Sequence, residues 1–355
     1  MNIIHVIPKA KLGGVETAVF SSFHEILNQG YCFRILSIER GDVNYSKENI
    51  DIRSLNSSFF SPLGFFRFLK FMKDNKPDLV VFSLWKSALF GLVWLFFYNR
   101  RDRVKTAFII HSTKFYHIFD KIITKIAIKN FDAIYFDSHE TKKIFEKQEN
   151  IKGDVLSFIT SKTIPKQFNL DIENINMVYI GRIHRSKNLK DSIRFVKKLN
   201  ELGVCANFDI YGPDEGDLTN IISVIESFGL SSKIKYKGVL KYNEVDNVLK
   251  NYDVYLQLSL YEGMAMSVVT ALQAGLIALV SAVGEIPNYI ENGVNGVLFD
   301  IAYLDDDIYI EKIASDFQRL ISENKLINMY ENAKVTFSNK PLYAEDYINK
   351  IIKRL

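Results

Sequence analysis

Residues 259–299, SLYEGMAMSVVTALQAGLIALVSAVGEIPNYIENGVNGVLF, hold the pattern that decides the fold. The stretch opens with an acid-glycine pair, Glu262-Gly263, and continues as a short helix-like segment, an apolar strand and a glycine-bounded turn. Glycine at a loop-to-helix junction lets the backbone approach a ligand closely, and the first amides of the helix point outward unpaired. Such a helix start favours anionic or oxygen-rich ligands, and a nearby carboxylate accepts hydrogen bonds from sugar hydroxyls. The stretch therefore predicts a site for a polyol or an anion.

The block resembles the donor-site signature of the family 4 glycosyltransferases, which are retaining enzymes of the GT-B fold. Four short matches carry the resemblance in order and spacing: Glu262-Gly263, Ala274-Gly275, Gly284-Glu285-Ile286-Pro287 and Asn295-Gly296. The resemblance implies that the donor sugar is held by Glu262 together with the amides of Gly263, Met264, Ala265 and Met266.

One position departs from the family pattern. The signature is an E-x7-E motif that begins at Glu262, and its second acid falls at position 270, where this chain has Thr270. In the family that glutamate typically holds the ribose hydroxyls of the nucleotide. Threonine offers one hydroxyl but no charged two-oxygen acceptor, so the resemblance implies a different ribose contact through Thr270.

Length and charge indicate two domains with different partners. The chain has 355 residues, 48% hydrophobic and 24% charged, which describes an ordinary globular protein of two domains. Residues 1–170 contain 25 Lys and Arg against 16 Asp and Glu, whereas residues 171–355 contain 20 against 25. Because anionic membrane surfaces attract basic patches, the first half is the one expected to contact the inner membrane surface.

Short apolar strands alternate with helical stretches, which predicts parallel sheets with crossover helices. We predict five strands in the first half and six in the second, with helices over residues 16–29, 65–75 and 141–148 and a polar connection over 157–175. The fold class is α/β, and with the resemblance it is GT-B: two Rossmann-like domains facing each other across a central cleft. The expected division is an acceptor-binding domain over 1–165, a nucleotide-sugar-binding domain over 172–338, and a C-terminal helix over 339–355 that crosses back to the first domain.

A second motif lies in MVYIGRIHRSKNLK, residues 177–190, where Gly181 ends a strand and Arg182 and Lys187 follow. It resembles the family's G-R-x4-K element, whose Arg and Lys bind the donor diphosphate. Fixed cations stabilise the charge that grows on a departing diphosphate, and they can replace a metal ion. The alternative is a solvated basic loop, but the position after a strand favours the functional interpretation.

Two weaker motifs lie in the first half. The pair Gly13-Gly14, followed by Glu16, separates a strand from a helix, and in the family this loop faces the donor phosphate and the acceptor; a simple tight turn is the alternative. His111 follows an apolar strand and is therefore expected at the ligand crevice, whereas His117, His139 and His184 have weaker positions.

Base recognition is expected in two loops of the second half, at Tyr211 and at Gly238-Val239. The run Asp305-Asp306-Asp307 resembles a metal-binding motif of another glycosyltransferase fold, but a helix N-terminus explains it better. We predict no metal site and no cofactor, and a UDP-sugar is favoured over a GDP-sugar as donor.

Two stretches rich in aromatic residues leave two interpretations open. Residues 61–78, SPLGFFRFLKFMKDNKPD, fit either a surface helix with its aromatic face in the core or a helix docked on lipid headgroups. Core packing is favoured for residues 86–103, KSALFGLVWLFFYNRRDR. No signal peptide or membrane span is predicted, and Cys32 and Cys205 are expected to be buried thiols, so a cytoplasmic location follows, with peripheral contact to the membrane.

The sequence therefore predicts a retaining, metal-independent hexosyltransferase that moves a sugar from a nucleotide-diphosphate sugar to a lipid-linked or oligosaccharide acceptor in surface polysaccharide (lipopolysaccharide or capsule) biosynthesis. No nucleic-acid partner is expected. Two alternatives remain: a nucleotide-sugar-binding protein of the same fold without turnover, which Thr270 favours, and a GT-B nucleotide-sugar epimerase.

Overall fold

The computed structural model describes residues 1–10, 13–41, 50–97, 104–112, 115, 117–163, 165–167, 174–241 and 244–355. These residues form two compact units: unit 1 comprises Met1–Ser161 and Pro341–Leu355, and unit 2 comprises Lys162–Lys340. Each unit contains one parallel sheet with helices packed on it, so the predicted α/β class with two Rossmann-like domains is confirmed. Within these ranges, no helix is both long enough and apolar enough to cross a membrane.

The sheet of unit 1 has seven strands in the order β3-β2-β1-β4-β5-β6-β7. Its central strands are runs of apolar residues because helices cover both faces of a parallel sheet, and β4 is buried along its whole length. The strands are β1 (Asn2–Lys9), β2 (Cys32–Glu39), β3 (Ile52–Ser54), β4 (Leu79–Ser83), β5 (Lys105–Ile110), β6 (Ala133–Phe136) and β7 (Asp154–Val155).

One of the helices predicted in unit 1 is divided into two. The helix predicted over 16–29 is broken at Ser22, whose hydroxyl donates to the Val19 carbonyl oxygen at an Oγ–O distance of 2.7 Å. The helices are α1 (Gly14–Ser21), α2 (Phe23–Asn28), α3 (Pro62–Asn75), α4 (Leu84–Phe97), α5 (Ile118–Asn130), α6 (His139–Glu149) and, after unit 2 in the chain, α13 (Tyr343–Asp346), which continues as a wider helical segment over Tyr347–Ile352.

The sheet of unit 2 has six strands in the order β10-β9-β8-β11-β12-β13. They are β8 (Ile175–Ile180), β9 (Ala206–Tyr211), β10 (Ile234–Tyr236), β11 (Val254–Gln257), β12 (Ile277–Ser281) and β13 (Gly296–Phe299). The helices are α7 (Leu189–Glu201), α8 (Leu218–Ser227), α9 (Val245–Leu249), α10 (Met266–Gln273), α11 (Asp307–Ser322) and α12 (Leu326–Val335). Its core includes the buried side chains of Phe195, Leu256 and Phe299.

Both sheets have a switch point, at which the direction of strand addition reverses. It lies between β1 and β4 in unit 1 and between β8 and β11 in unit 2. Ligands of open α/β sheets bind outside the carboxyl ends of the strands at this point. The loops after β1, β4, β8 and β11 are therefore the first places to look for a site.

The two aromatic stretches have different surroundings. In α3, Phe68 and Met72 are buried while Leu63 and Phe66 are exposed, so the helix has an apolar surface on both sides. In α4, Phe90 and Trp94 lie in the core. Core packing thus describes most of α4, although Phe96 and Phe97 at its end are exposed. Residues 98–103 of the second stretch lie outside the described residues.

The expectation of two buried thiols is wrong. Cys32 is exposed because it is the first residue of β2, ahead of the buried positions that begin at Phe33. Cys205 is half-buried in the turn before β9, where its Sγ lies 2.9 Å from Lys233 Nζ and 3.0 Å from Asn174 Oδ1.

Candidate functional site

Three glycine turns lie side by side at the carboxyl edge of the unit 2 sheet. Gly181 follows β8, Gly212 follows β9 and Gly238 comes after β10. The Gly212 amide donates to the Gly238 carbonyl at 2.9 Å, and the Gly181 amide donates to the Tyr211 carbonyl at 3.0 Å. Gly212 has φ +145, and a Cβ there would lie 1.7 Å from the Gly181 oxygen. Only glycine therefore lets these turns pack this closely.

Lys187 and Glu262, predicted separately from two motifs, form one ion pair. Lys187 Nζ lies 2.5 Å from Glu262 Oε1, and the two side chains are 15% and 9% exposed. Glu262 follows β11, and Lys187 lies in the loop between β8 and α7, so both come from the switch point of unit 2. A lysine and a carboxylate at this edge can bind phosphate oxygens and sugar hydroxyls, respectively.

Gln257 is a site residue that the sequence analysis missed. It is the buried last residue of β11, and its Nε2 donates to Glu262 Oε1 at 2.8 Å. Its Oε1 accepts from the Ser267 hydroxyl at 3.0 Å. Gln257 therefore fixes both Glu262 and the first turn of α10. A polar amide ending an otherwise apolar strand is the signal that could have identified it.

Two buried tyrosines, Tyr179 and Tyr255, and the half-buried Tyr289 interact electrostatically with the Glu262 carboxylate. Burial raises the pKa of Tyr255, Tyr289 and Tyr179 well above the ordinary range, and the charge of Glu262 raises each further. All three stay neutral phenols in the physiological range. The Tyr289 hydroxyl donates to the Met264 carbonyl at 3.1 Å, and that of Tyr179 donates to the Arg182 carbonyl at 2.9 Å. Tyr179 and Tyr289 thus hold the backbone of the loops that follow β8 and β11.

The loop between Glu262 and α10 is held in an unusual conformation. Ala265 precedes the helix with φ +54, a left-handed conformation that costs a non-glycine residue about 1–2 kcal/mol. Within the described part of the chain, no hydrogen-bond acceptor is assigned to the amides of residues 263–267. Their N–H groups are therefore available to an anionic or oxygen-rich ligand.

The Gly284-Glu285 turn packs against the backbone of Glu262 and Gly263 in this loop. A Cβ at Gly284, where φ is +59, would lie 2.3 Å from the Glu262 carbonyl oxygen. The Glu285 amide donates to the Gly263 carbonyl at 3.0 Å, and Glu285 itself is buried. The glycine of this motif is thus required by the close approach of two backbones.

Thr270 bonds to its own helix. Its hydroxyl donates to the Met266 carbonyl at 3.0 Å, so its hydrogen is committed and only its lone pairs can contact a ligand. A threonine bonded in this way does not offer ribose hydroxyls the charged two-oxygen acceptor that a glutamate provides.

Arg182 has a different carboxylate partner from Lys187. Its guanidinium pairs with Glu215 at 2.6 Å, and both side chains are largely exposed. Glu215 was not predicted, because 33 residues separate it from Arg182. Lys187 is thus paired with Glu262, whereas Arg182, the residue after Gly181, is paired with Glu215.

The predicted base-recognition residues also differ in their surroundings. The Tyr211 side chain is buried, and its hydroxyl lies 3.1 Å from that of Tyr252, which donates to Asp209 at 2.7 Å. Val239, by contrast, is exposed. Any contact from Tyr211 to a nucleobase would therefore have to come from its main chain.

A second site lies in unit 1, in a cavity of about 350 Å³ beside the switch point of that sheet. Its lining mixes apolar rings with the charged side chains of Lys9, Glu16 and Lys86 and with the imidazole of His111. Gly13 and Gly14 begin α1 next to it, and a Cβ on Gly13 would lie 2.5 Å from Glu16 Oε2. His111 follows β5, and its Nε2 lies 3.0 Å from the Ser83 hydroxyl. His111 and the glycine loop therefore belong to the same region of unit 1.

The weaker histidines have structural partners. His117 begins α5, where its Nδ1 accepts from the Asp120 amide at 3.2 Å, and His184 Nδ1 accepts from the Ser186 amide at 3.2 Å. Asp306 caps α11 by accepting from the Ile308 amide at 2.9 Å, and Asp307 pairs with Arg194 at 2.6 Å. The acid run thus serves a helix N-terminus. Across the described ranges, no group of three His, Cys, Asp or Glu side chains could hold a metal ion.

Residues 160–336 match the family model described as glycosyl transferases group 1. The chain is 20% identical over 298 residues to one component of human phosphatidylinositol N-acetylglucosaminyltransferase, covering 78% of this chain and 60% of the human protein. It is 25% identical over 179 residues to the Escherichia coli UDP-Gal:alpha-D-GlcNAc-diphosphoundecaprenol alpha-1,3-galactosyltransferase, covering 48% of this chain and 46% of that protein.

Among solved structures, HepE of Anabaena in complex with UDP is similar over 100% of both chains, with a TM-score of 0.82 and 14% sequence identity. A likeness at this identity shows the fold. The chain spans 60% of the length of the human relative and 40% of that of a yeast relative. Residues 160–336 therefore form a domain of the glycosyl transferases group 1 family, within a chain that has the GT-B fold.

Proposed function

We propose that this protein is a glycosyltransferase of family 4 that moves a hexose from a nucleotide-diphosphate sugar with retention of configuration and without a metal ion. The observation that carries the proposal is the Lys187–Glu262 ion pair beside the open amides of residues 263–267. It places a cation, a carboxylate and N–H donors together at the switch point where α/β sheets bind ligands.

In the proposed mechanism, the donor diphosphate displaces Glu262 as the partner of Lys187. Lys187 and Arg182 then neutralise the charge that develops on the departing diphosphate, which is the part of the reaction that fixed electrostatics accelerate most. Glu262, released from Lys187 but still bonded to Gln257, accepts from hydroxyls of the donor sugar. The amides of Gly263 to Met266 orient the same ligand. The acceptor hydroxyl attacks the anomeric carbon on the face from which the diphosphate leaves, so that the new C–O bond replaces the bond to the phosphate oxygen and the hydroxyl proton passes to that oxygen.

The acceptor is proposed to bind in unit 1, at the cavity that His111 and Glu16 line. A UDP-sugar is the favoured donor, because HepE was solved with UDP and the E. coli relative is named for a UDP-sugar. A lipid-linked acceptor is supported by the names of two relatives, which refer to phosphatidylinositol and to a diphosphoundecaprenol. Surface polysaccharide assembly at the cytoplasmic face of the membrane is the setting that this chemistry suggests.

Helix α5 supports peripheral contact with the membrane. Four apolar side chains on it are exposed, namely Ile118, Phe119, Ile122 and Ile126, at 61%, 58%, 47% and 45%. At 100° per residue these four share one arc of the helix with three lysines, Lys121, Lys125 and Lys129. The one acid of α5, Asp120, is buried on the opposite side. Lys125 pairs with Glu149 of α6 at 2.6 Å, whereas Lys121 and Lys129 are exposed beside the apolar side chains. An arc of exposed apolar and basic residues is complementary to an anionic lipid surface.

The proposal is tested with a thermal-shift panel of UDP, GDP, ADP and their sugar conjugates in the presence of EDTA. A ligand that binds the native state raises the unfolding temperature by mass action, so one base should give a selective shift. Lys187→Ala should abolish that shift, whereas the exposed neighbour Lys190→Ala should keep it. A metal requirement, or equal shifts in both variants, would contradict the donor site proposed here.

One observation favours a second candidate, a nucleotide-sugar-binding protein without turnover. The Thr270 hydroxyl already donates to Met266, so the ribose contact of the family is missing. Under this alternative, Thr270→Glu should raise nucleotide affinity sharply. If the substitution brings no gain, Thr270 is an adaptation with another ribose partner, and the transferase proposal stands.

A further inference from the structure

A chain of buried hydrogen bonds runs from His111 through unit 1 to the last helical segment. His111 Nε2 lies 3.0 Å from Ser83 Oγ, and His5 Nε2 lies 2.9 Å from the same oxygen. On its other side, His5 Nδ1 lies 3.0 Å from the Tyr347 hydroxyl. His5, Ser83 and Tyr347 are all fully buried. The side chain at the acceptor cavity is therefore connected to Tyr347 by three hydrogen bonds in series.

The number of hydrogens allows two directions for this chain. Both imidazoles are neutral, since burial lowers the pKa of His5 and of His111 to about 3. Each neutral ring carries one N–H, and each hydroxyl carries one O–H. If Tyr347 donates to His5, then His5 donates to Ser83, Ser83 donates to His111 Nε2, and the His111 hydrogen sits on Nδ1. If the chain runs the other way, His111 carries its hydrogen on Nε2 and His5 donates to Tyr347.

The two directions leave different groups unsatisfied. Among the described residues, the Tyr347 hydroxyl has no hydrogen-bond partner other than His5, and His111 Nδ1 has none. The second direction therefore leaves the buried phenolic O–H without an acceptor and the Nδ1 lone pair unbonded. An arrangement in which both imidazoles donate to Ser83 leaves the Ser83 O–H without an acceptor and the same lone pair unbonded. The first direction leaves one group unsatisfied, the His111 Nδ1–H, and it is favoured because each unsatisfied buried polar group costs free energy.

We propose that Tyr347, His5 and Ser83 are positioning residues that hold His111 in the tautomer protonated on Nδ1, so that it offers an N–H to an acceptor-substrate oxygen. In the ligand-free structure the His111 Nδ1 atom is buried, so a hydrogen bond to a substrate oxygen requires the ring to shift toward the cavity. That the oxygen belongs to the acceptor rests on the proposed function; the tautomer itself does not.

The direct test is ¹⁵N NMR of the histidine rings in the ligand-free full-length protein, because protonated and unprotonated ring nitrogens resonate at well-separated frequencies. We expect His111 to be protonated on Nδ1 at neutral pH. In Tyr347→Phe, which removes the donor at the start of the chain, we expect part or all of the population to move to the Nε2-protonated form. Protonation of wild-type His111 on Nε2 would overturn the proposal whatever the variant does.

Tyr343→Phe is the matched control. Tyr343 is equally buried on the same final helix, and within the described residues its hydroxyl has no partner. It should keep the wild-type tautomer, and an equal change in both variants would mean that helix packing, not the hydrogen-bond chain, acts on His111.

In transfer assays, Tyr347→Phe should lower kcat about two- to tenfold, the value of one hydrogen bond, with an unchanged donor KM. Absence of transfer by the wild type would count against the proposed function while leaving the tautomer result intact.

Discussion

Ala265 is the strained residue of the loop between Glu262 and α10. Its φ of +54 is one that glycine adopts freely and alanine does not, yet an alanine stands at this helix start. Residues held in such conformations cluster at ligand sites, where surrounding contacts over-determine the backbone. Here those contacts are the Glu285 amide on the Gly263 carbonyl and the Tyr289 hydroxyl on the Met264 carbonyl.

We predict that Ala265→Gly is neutral or stabilises the protein by up to about 1 kcal/mol, because relief of strain exceeds or offsets the added freedom of the unfolded chain. Ala274, at the other end of α10 with φ −73, is the control, and Ala274→Gly should destabilise by about 1 kcal/mol. Urea unfolding of both variants gives the two values. A larger loss in Ala265→Gly than in Ala274→Gly would show that position 265 is not strained.

The sequence identified candidate site residues more readily than the residues that they contact. Lys187 and Glu262 could be proposed because each stands in a short motif, and the structure pairs them. Gln257 and Glu215 could not, because their roles depend on which loops the sheet brings together. Thr270 was identified as unusual from its position, but only the structure shows that its hydroxyl is bonded to Met266.

At the scale of elements, α5 is where the structure adds most to the sequence. The sequence left residues 61–78 open between a surface helix packed on the core and a helix docked on lipid, whereas α5 has the exposed arc of isoleucine, phenylalanine and lysine. Helix α4 packs against both α3 and α5, so these helices form one region of unit 1. The exposed rings of Phe66 and Phe96 belong to the same region.

We predict that the double variant Ile122→Gln with Ile126→Gln loses binding to vesicles that contain anionic lipid, because it removes apolar area from the α5 arc. The control, Ile308→Gln, removes an isoleucine of unit 2 that is 79% exposed beside the acid run, and it should bind as the wild type does. Flotation at low and high salt measures both, and binding should weaken with salt because the lysines contribute. Equal flotation of the two variants would contradict a membrane role for α5.

The prediction of helices and strands was wrong where the pattern of apolar residues was short or uninterrupted by a helix-breaking residue. The edge strands β3 and β7 were not predicted. They have three and two residues, include the charged Arg53 and Asp154, and are too short to show an alternation of apolar and polar residues. The helix over 16–29 was predicted as continuous, because Ser22 interrupts the backbone by a local hydrogen bond and not by a glycine or proline. The other eleven strands of the described residues equal the five and six that were predicted, as expected for the apolar runs of buried parallel sheets.

At the scale of the whole molecule, the two units are expected to respond differently to acid. His5 and His111 both lie in unit 1, and burial lowers the pKa of each to about 3 from an ordinary value of 6.5. Between these values the unfolded chain binds protons that the folded unit does not, so stability falls as pH is lowered through 6.5. Two such groups give a slope of about 2.7 kcal/mol per pH unit below pH 6. Unit 2 has one histidine, the half-buried His184.

We therefore predict that unit 1 loses stability before unit 2 as the pH falls from 7 to 5. The chain has two tryptophans, Trp85 and Trp94, both in unit 1, so fluorescence-detected urea unfolding reports that unit alone. Hydrogen exchange of peptides from β8 and β11 reports unit 2 in the same samples. His5→Asn should reduce the pH dependence of the fluorescence midpoint by about one proton, and the exposed His24→Asn should not. If the midpoint of unit 2 moved as far as that of unit 1, or if His5→Asn left the pH dependence unchanged, the acid sensitivity would come from groups other than the buried histidines.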